Sequence, residues 1–364
     1  MRDTSLSVIF LGILAFLAIG FVLKTLAPIL LPFVVAVFLS RIFSPLNKAL
    51  RRRRVPIVIS ILLVLVLVTI VLSLFSWAVY SNAQSFTEKA PQYQERLKGL
   101  VTGVSGWLAA TLPSSLNAQI RHFDWQHAFG VSSVTGFLAA TAGSFLLFFN
   151  DMFLVLLFLV FLLLGSEGFP RKLRRALPPD SAGRLAAMME NIESGVRRYL
   201  VTKTLINLMT ASLVTALMAA FGVDLPLLWG LITFMAHYIP NVGAVVSVAL
   251  PTIFVFLQFS PGLALLIAVL NAVVQFSMGN AVEPRILGSS LDLSPLLVLL
   301  ALIFWGWLWG PWGMVLAIPL TQTIKIVCEN VEALRPVAVL MSGSEGESSK
   351  TAAVPTETPA GTPA

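Results

Sequence analysis

The sequence predicts an all-α, polytopic membrane protein with eight spans plus a broken, re-entrant hairpin, or alternatively ten crossings, and with both termini in the cytoplasm. Three observations carry this reading. The 364 residues are 57% hydrophobic and 11% charged, with a mean hydropathy of +0.89, whereas soluble domains run at about 25% charged and 45–50% apolar. Apolar runs of about 20 residues, enough to cross a bilayer core, recur along nearly the whole chain. The alternating segments of about 10 residues that build membrane β-barrels do not occur.

The elements follow in order. Arg2 precedes an apolar run to Leu23 that is longer than a signal-peptide core and lacks a small-x-small cleavage site, so 5–23 reads as an uncleaved first span. A second span, 26–42, follows Lys24 and Pro28. Arg41, Lys48 and Arg51 to Arg54 then precede a third span at 55–79. Short Lys/Arg-rich loops mark the cytoplasmic side, which places the loop of segment 1–79 there. Residues 80–136 are more polar and nearly charge-balanced, with Lys89, Arg96, Lys98 and Arg121 against Glu88, Glu95 and Asp124. Lacking a basic excess, this region reads as an extracytoplasmic excursion of short helices.

Span 4, within 137–164, returns the chain to a second basic cluster, Arg171, Lys172, Arg174, Arg175, Arg184, Arg197, Arg198 and Lys203. Apolar spans flank both clusters, which excludes nucleic acid as a partner and leaves the lipid bilayer, with anionic head groups as a secondary attraction. Leu185, Met188, Met189, Ile192, Val196, Tyr199 and Leu200 follow helical spacing, and Pro178-Pro179-Asp180-Ser181 supplies a start signal. This closes segment 137–203 with an amphipathic helix on the cytoplasmic interface, before span 5 at 204–221. From Gly222 onward the apolar segments shorten and Pro and Gly punctuate them. Segments 226–240 and 243–258 each cross or together form one hairpin, 262–279 is apolar, and the last spans fall at 293–309 and 312–328. Segment 204–328 is thus the expected transport core. The tail 329–364 is cytoplasmic and, rich in Ser, Thr, Pro, Gly and Glu, disordered from about 342. The single cysteine, Cys328, excludes an internal disulfide, and no metal or cofactor is expected.

The candidate pathway centres on Asn280-Ala-Val-Glu-Pro-Arg-Ile-Leu-Gly288, which sets Glu283 and Arg285 around Pro284. Charged groups at membrane depth cost about 2.5–3.5 kcal/mol each and so face protein or a wet cavity. In continuous helices Pro240, Pro251 and Pro284 would free the carbonyls of Ala236, Ser247 and Asn280. Such carbonyls either coordinate a passing cation or solute, or are satisfied by neighbouring helices. Asn241 and Gly243 flank the first break, beside His237, Tyr238 and Ser247. Asn271 and Gln275, four apart, share a helix face and either line a path or bond between helices, the latter worth about 0.6 kcal/mol. Glu283 is placed to exchange a proton or hold a cation, and Arg285 to neutralise it or to anchor phosphate, unless the two form a plain loop-end ion pair. Asp151, in span 4, is a second acidic candidate. Asp224 and Asp292 read as segment caps, Gly306-x-x-x-Gly310 as close helix packing, and Trp305, Trp307, Trp309 and Trp312 as an interfacial belt. Ile239-Pro-Asn-Val-Gly243 and Glu283-Pro-Arg-Ile-Leu-Gly288 echo each other, as paired broken segments do in transporters. Gly103-Val-Ser-Gly106 matches a protease motif but lies in the polar excursion. No His-Glu-x-x-His or phosphate-binding loop occurs, so the chain is expected not to be an enzyme.

Gly222-x-x-x-Pro226-x-x-Trp229-Gly230, Tyr238-Ile-Pro-Asn-Val-Gly243, Pro251, Asn280-x-x-Glu283-Pro-x-Ile-x-Gly288, Leu293-x-Pro295 and Gly310-Pro-Trp-Gly313-x-x-x-Ala-Ile-Pro319 resemble the AI-2E family of bacterial membrane transporters. The resemblance implies a homo-oligomeric permease of the bacterial cytoplasmic (inner) membrane, in which a mobile domain carries solute past a scaffold. It implies export of a small polar solute like autoinducer-2, relevant to quorum sensing, or alternatively exchange of Na+ or Li+ for H+ through Glu283. A scaffold or sensor that moves nothing is the reading of a different class. At this level Glu283→Gln is expected to abolish or decouple transport while leaving folding intact.

Overall fold

The computed structural model describes residues 2–111, 152–165, 175–287 and 293–343, and among these there are helices and turns but no strand. Five helical stretches are long and apolar enough to cross a membrane: Ala27–Arg52, Ile57–Asn82, Ser181–Ala220, Pro261–Ile286 and Pro295–Asn330. The protein is thus multi-helical and apolar in the manner of a multi-pass membrane protein. Large aliphatic and aromatic side chains such as Val58, Leu62, Phe153, Phe161, Leu265 and Phe276 are exposed on the helix surfaces, as a lipid-facing wall requires.

The chain begins with α1 (Arg2–Thr25) and α2 (Ala27–Arg52), the latter tolerating Pro32 and Pro45 inside it. The next helix, α3 (Ile57–Thr111), is 55 residues long, about 82 Å at 1.5 Å per residue. The expected boundary near 79 is absent: no breaker stands there, and the helix runs on through the polar region as far as Thr111, so up to that residue the excursion is one helix rather than several short ones. α4 (Met152–Gly165) packs its Val155, Leu159 and Leu163 against Ala36, Ile61, Val64 and Val68 of α2 and α3.

α5 (Pro179–Ala220) is a single 42-residue helix. It joins without interruption the amphipathic stretch and the fifth span that the sequence separates, because no Pro intervenes and Val201, Thr202 and Lys203 continue the helix. α6 (Pro226–Ala236) and α7 (Val242–Gln258) follow. At 11 residues α6 is about 16 Å long, too short for a hydrocarbon core of about 30 Å, which favours the hairpin over two crossings. α8 (Pro261–Ser277) passes into a π-helical turn, Met278–Val282, and then α9 (Glu283–Leu287). Here the expected break becomes a change of pitch. The backbone N–H of Glu283 donates to the Met278 carbonyl, five residues back, so the helix widens ahead of Pro284 instead of stopping.

α10 (Pro295–Asn330) doubles back on itself. Trp309 (φ −127°, ψ 15°) and Gly310 (φ 64°, ψ −148°) leave the helical region. Beyond them a Cβ added to Gly313 would lie 1.9 Å from the Trp305 carbonyl oxygen, and Trp305 Nε1 donates to Thr321 Oγ1 at 3.2 Å across sixteen residues. The two arms occupy the positions of the two last spans. Gly310 serves the turn rather than helix packing; only Gly306, against Met314, packs closely. The tryptophans also divide: Trp305 and Trp309 are buried against each other at 5.2 Å, while Trp307 is exposed under Lys24, 4.5 Å from its ring. Burial in the hairpin core outweighs the interfacial preference of the first two. α11 (Arg335–Met341) folds back so that Met341 O accepts from Ser294 N at 3.0 Å.

The polar half of α3 is strapped to α5–α8. Tyr93 is buried among Met218, Val223, Trp229, Phe254 and Ile267, with its ring 4.9 Å from Phe254. Its hydroxyl donates to Asp224 Oδ2 at 2.8 Å, Lys89 pairs with the other oxygen, and Arg96 donates to the Gln258 carbonyl. Asp224 is therefore an inter-helix anchor and not the cap the sequence suggests: Leu225 holds the N-cap position of the following helix, with no side-chain cap. Burial, followed by the adjacent carboxylate, pushes the Tyr93 phenol upward in pKa and keeps it neutral.

Candidate functional site

The α6–α7 turn shapes one wall. Asn241 adopts φ 61°, and Gly243 enters α7 so close to the end of α6 that an added Cβ would lie 2.1 Å from the Ala236 carbonyl oxygen. That carbonyl, which Pro240 was expected to free, accepts from Ile239 N at 2.9 Å. The Ser247 carbonyl, below Pro251, accepts from Asn271 Nδ2 at 3.0 Å. Both are satisfied within the protein, so neither is an open cation ligand. Asn271 is buried as a bond between α7 and α8, and Pro251 is buried beside it in α7.

Between this turn, α5, α8 and the π-turn lies a cavity of about 610 Å³, bordered by Lys203, His237, Pro240, Asn241, Gln275, Asn280 and Glu283, with Ala244, Val248 and Ala272 as apolar walls. The π-turn places Glu283 toward Lys203, whose Nζ binds Glu283 Oε1; the lysine side chain is 3% exposed and the glutamate side chain 25%. A buried ammonium of this kind is held only by its partner, since an isolated charge in an apolar surround is strongly disfavoured. His237 Nδ1 lies 2.9 Å from the Thr233 carbonyl oxygen and 3.3 Å from Ser247 Oγ. Thr204 and Tyr238 exchange a hydroxyl contact at 2.7 Å next to the pair. Neither amide atom of buried Gln275 reaches a protein partner at ordinary hydrogen-bond length, nor does Thr252 Oγ1. Gln275 stands closest to His237 as a partner, and buried polar atoms of this kind are costly unless bonded.

Of the residues expected from sequence, Glu283, Asn280, Pro240, Asn241 and Gln275 thus border one cavity. Gly243, Pro251 and Asn271 do not border it: Gly243 closes the α6–α7 turn, and Asn271 ties α8 to the Ser247 carbonyl of α7. Pro284 directs the helix after the π-turn. Arg285 is exposed and is not the neutralising partner of Glu283; that role belongs to Lys203. Asp151 and Gly288 lie outside the described residues, as does Asp292. Lys203 was legible only as one of a basic cluster. The signal that singles it out is its setting, Leu200-Val-Thr-Lys-Thr-Leu-Ile206, where it is the last charge before twenty consecutive uncharged residues.

Comparison with known proteins follows the same outline. The model of AI-2E family transporters matches residues 11–333. The AI-2 transport protein TqsA of Escherichia coli K12 is 33% identical over 336 residues, covering 92% of this chain and 95% of TqsA. A Haemophilus influenzae relative is 31% identical over 339 residues, 92% of this chain and 96% of its own. YhhT of Escherichia coli K12 is 29% identical over 318 residues, 86% and 88% of the two chains.

Proposed function

Because this chain belongs to the AI-2E family of transporters, whose members are transport proteins and not enzymes, we propose that it is a secondary permease of the bacterial inner membrane that exports a small polar solute through the cavity at Glu283. The observation that carries the proposal is the cavity itself: a large space with mostly apolar walls, the amides of Asn241 and Asn280 at its border and a buried ion pair beside them. Its size suits a small organic molecule; ligand pockets run from about 300 to 1,000 Å³. TqsA is an AI-2 transport protein, and the mixture of amides and one ion pair here suits an autoinducer-2-like, hydroxyl-bearing solute. The transport core spanning α5–α10 moves and α1–α4 form the scaffold, in an oligomer with both termini cytoplasmic.

The alternative of Na+ or Li+ exchange for H+ fares less well on the same observation, because Lys203 already holds the carboxylate such an antiporter needs. A non-transporting scaffold leaves the cavity without a use. Reconstituted flux decides. Proteoliposomes are loaded with a solute panel, with and without sodium and pH gradients. Efflux of a polar organic solute supports the permease; sodium-dependent proton movement without it supports the antiporter; neither movement, from protein of demonstrated integrity, supports the scaffold.

A further inference from the structure

We infer that Lys203 is a tethered counter-ion: its ammonium occupies the place at Glu283 that a dissolved alkali cation would otherwise take, which fits the pocket to uncharged polar solutes. The inference rests on the cavity being the solute site and adds its charge logic. A carboxylate beside a cavity walled largely by apolar side chains needs a positive charge close by. Lys203 provides it from α5, while Glu283 stands on the α8–α9 passage eighty residues later. The counter-charge is covalently part of the protein and does not exchange with the bath.

Among the described residues bordering the cavity, Lys203, His237 and Glu283 are the titratable ones. The histidine is engaged with the Thr233 carbonyl and Ser247, and the charges of the other two cancel. An anionic solute would compete with Glu283 for the ammonium, and a cationic one with Lys203 for the carboxylate. A hydroxyl- or amide-bearing neutral solute leaves the pair intact and bonds to the exposed amides of Asn241 and Asn280.

The test is thermal unfolding of the full-length protein purified in detergent, in sodium chloride and in matched N-methylglucamine chloride. The wild-type apparent Tm should be the same in both. Lys203→Met leaves the carboxylate in need of a cation, so its Tm should be lower in N-methylglucamine and recover in sodium by about 2–4 °C. Lys203→Met/Glu283→Gln, with both charges removed, should show no sodium response. A wild-type Tm that rises with sodium in a manner abolished by Glu283→Gln overturns the inference, as does a folded Lys203→Met indifferent to sodium. If Lys203→Met is not recovered folded, Lys203→Gln gives the same reading. Failure of both single variants in sodium while the double variant folds also overturns it, since sodium then cannot replace the ammonium. Flux separates this outcome from that of the pathway itself. A sodium-responsive Lys203→Met with wild-type organic efflux keeps the counter-ion and removes the cavity from the pathway. A sodium-indifferent variant with lost efflux does the reverse.

Discussion

Glu283 and Lys203 change what a single substitution should do. The sequence alone expects Glu283→Gln to spare the fold, yet in the structure that change leaves a nearly inaccessible ammonium without its partner. Removing one member of a buried pair costs about 3–5 kcal/mol, whereas replacing both by neutral groups of similar size is often close to neutral. Glu283→Gln should therefore lower the apparent Tm markedly, and Lys203→Met/Glu283→Gln should restore most of it, while organic-solute efflux stays lost in both. A double variant as unstable as the single one would show that the pair is not the cause. Gly243 is a second decisive residue. Gly243→Ala forces a methyl group onto the Ala236 carbonyl, which can move only by unwinding the turn. The expected loss is about 2–3 kcal/mol with a misshapen cavity wall, read as lowered Tm and reduced efflux. Glu283, Asn280 and Gly243 were legible because charge, amide and glycine in an apolar stretch each need an explanation. Lys203 was not, since its partner lies eighty residues away and the pairing is tertiary.

Individual elements were legible where breakers are strong and illegible where they are ambiguous. The shortness of α6 follows from Pro226 and Pro240, and the final hairpin from Gly310-Pro311. Pro284, by contrast, reads as an interruption, but the π-turn before it provides a wider helical path that no local rule in the sequence announces. Nor does the polarity after residue 79 end α3, because Gln, Glu and Lys continue a helix about as readily as Leu does once it is started. The hairpin yields an element-level prediction. The Gly310 conformation, φ 64° and ψ −148°, is one that only glycine visits without strain. Gly310→Ala should cost about 1–3 kcal/mol and weaken the Trp305–Thr321 bond that closes the arms. Tryptophan fluorescence should then shift to the red as buried Trp305 and Trp309 gain water, and an unshifted spectrum at lowered Tm would contradict this.

At the scale of the molecule, the polar half of α3 lies over the far end of α5–α8 and is fastened there by Asp224, which binds both Lys89 and Tyr93. The Lys89 pair is half exposed and worth little, about 0–1 kcal/mol, while the buried phenol contributes about 1 kcal/mol or somewhat more. Asp224→Ala removes both and should leave global stability nearly unchanged while freeing this part of α3. Trypsin should then cut at Lys89, Arg96 or Lys98 several-fold faster than in the wild type, and unchanged cleavage would mean that Tyr93 packing alone fastens it. The helical, membrane-embedded character was open to reading from composition. The strap was not, because it joins residues more than a hundred positions apart.

The unbroken course of α5 has a mechanical meaning. Ala187, in the amphipathic half, and Leu213, in the apolar half, stand on one rod about 39 Å apart. No joint lies between the N-terminal half of α5 and the lysine in the cavity, so α5 acts as a lever: whatever tilts its outer end swings the ammonium as well. Spin labels at 187 and 213 should keep one fixed separation throughout turnover, even while each changes its distance to α2.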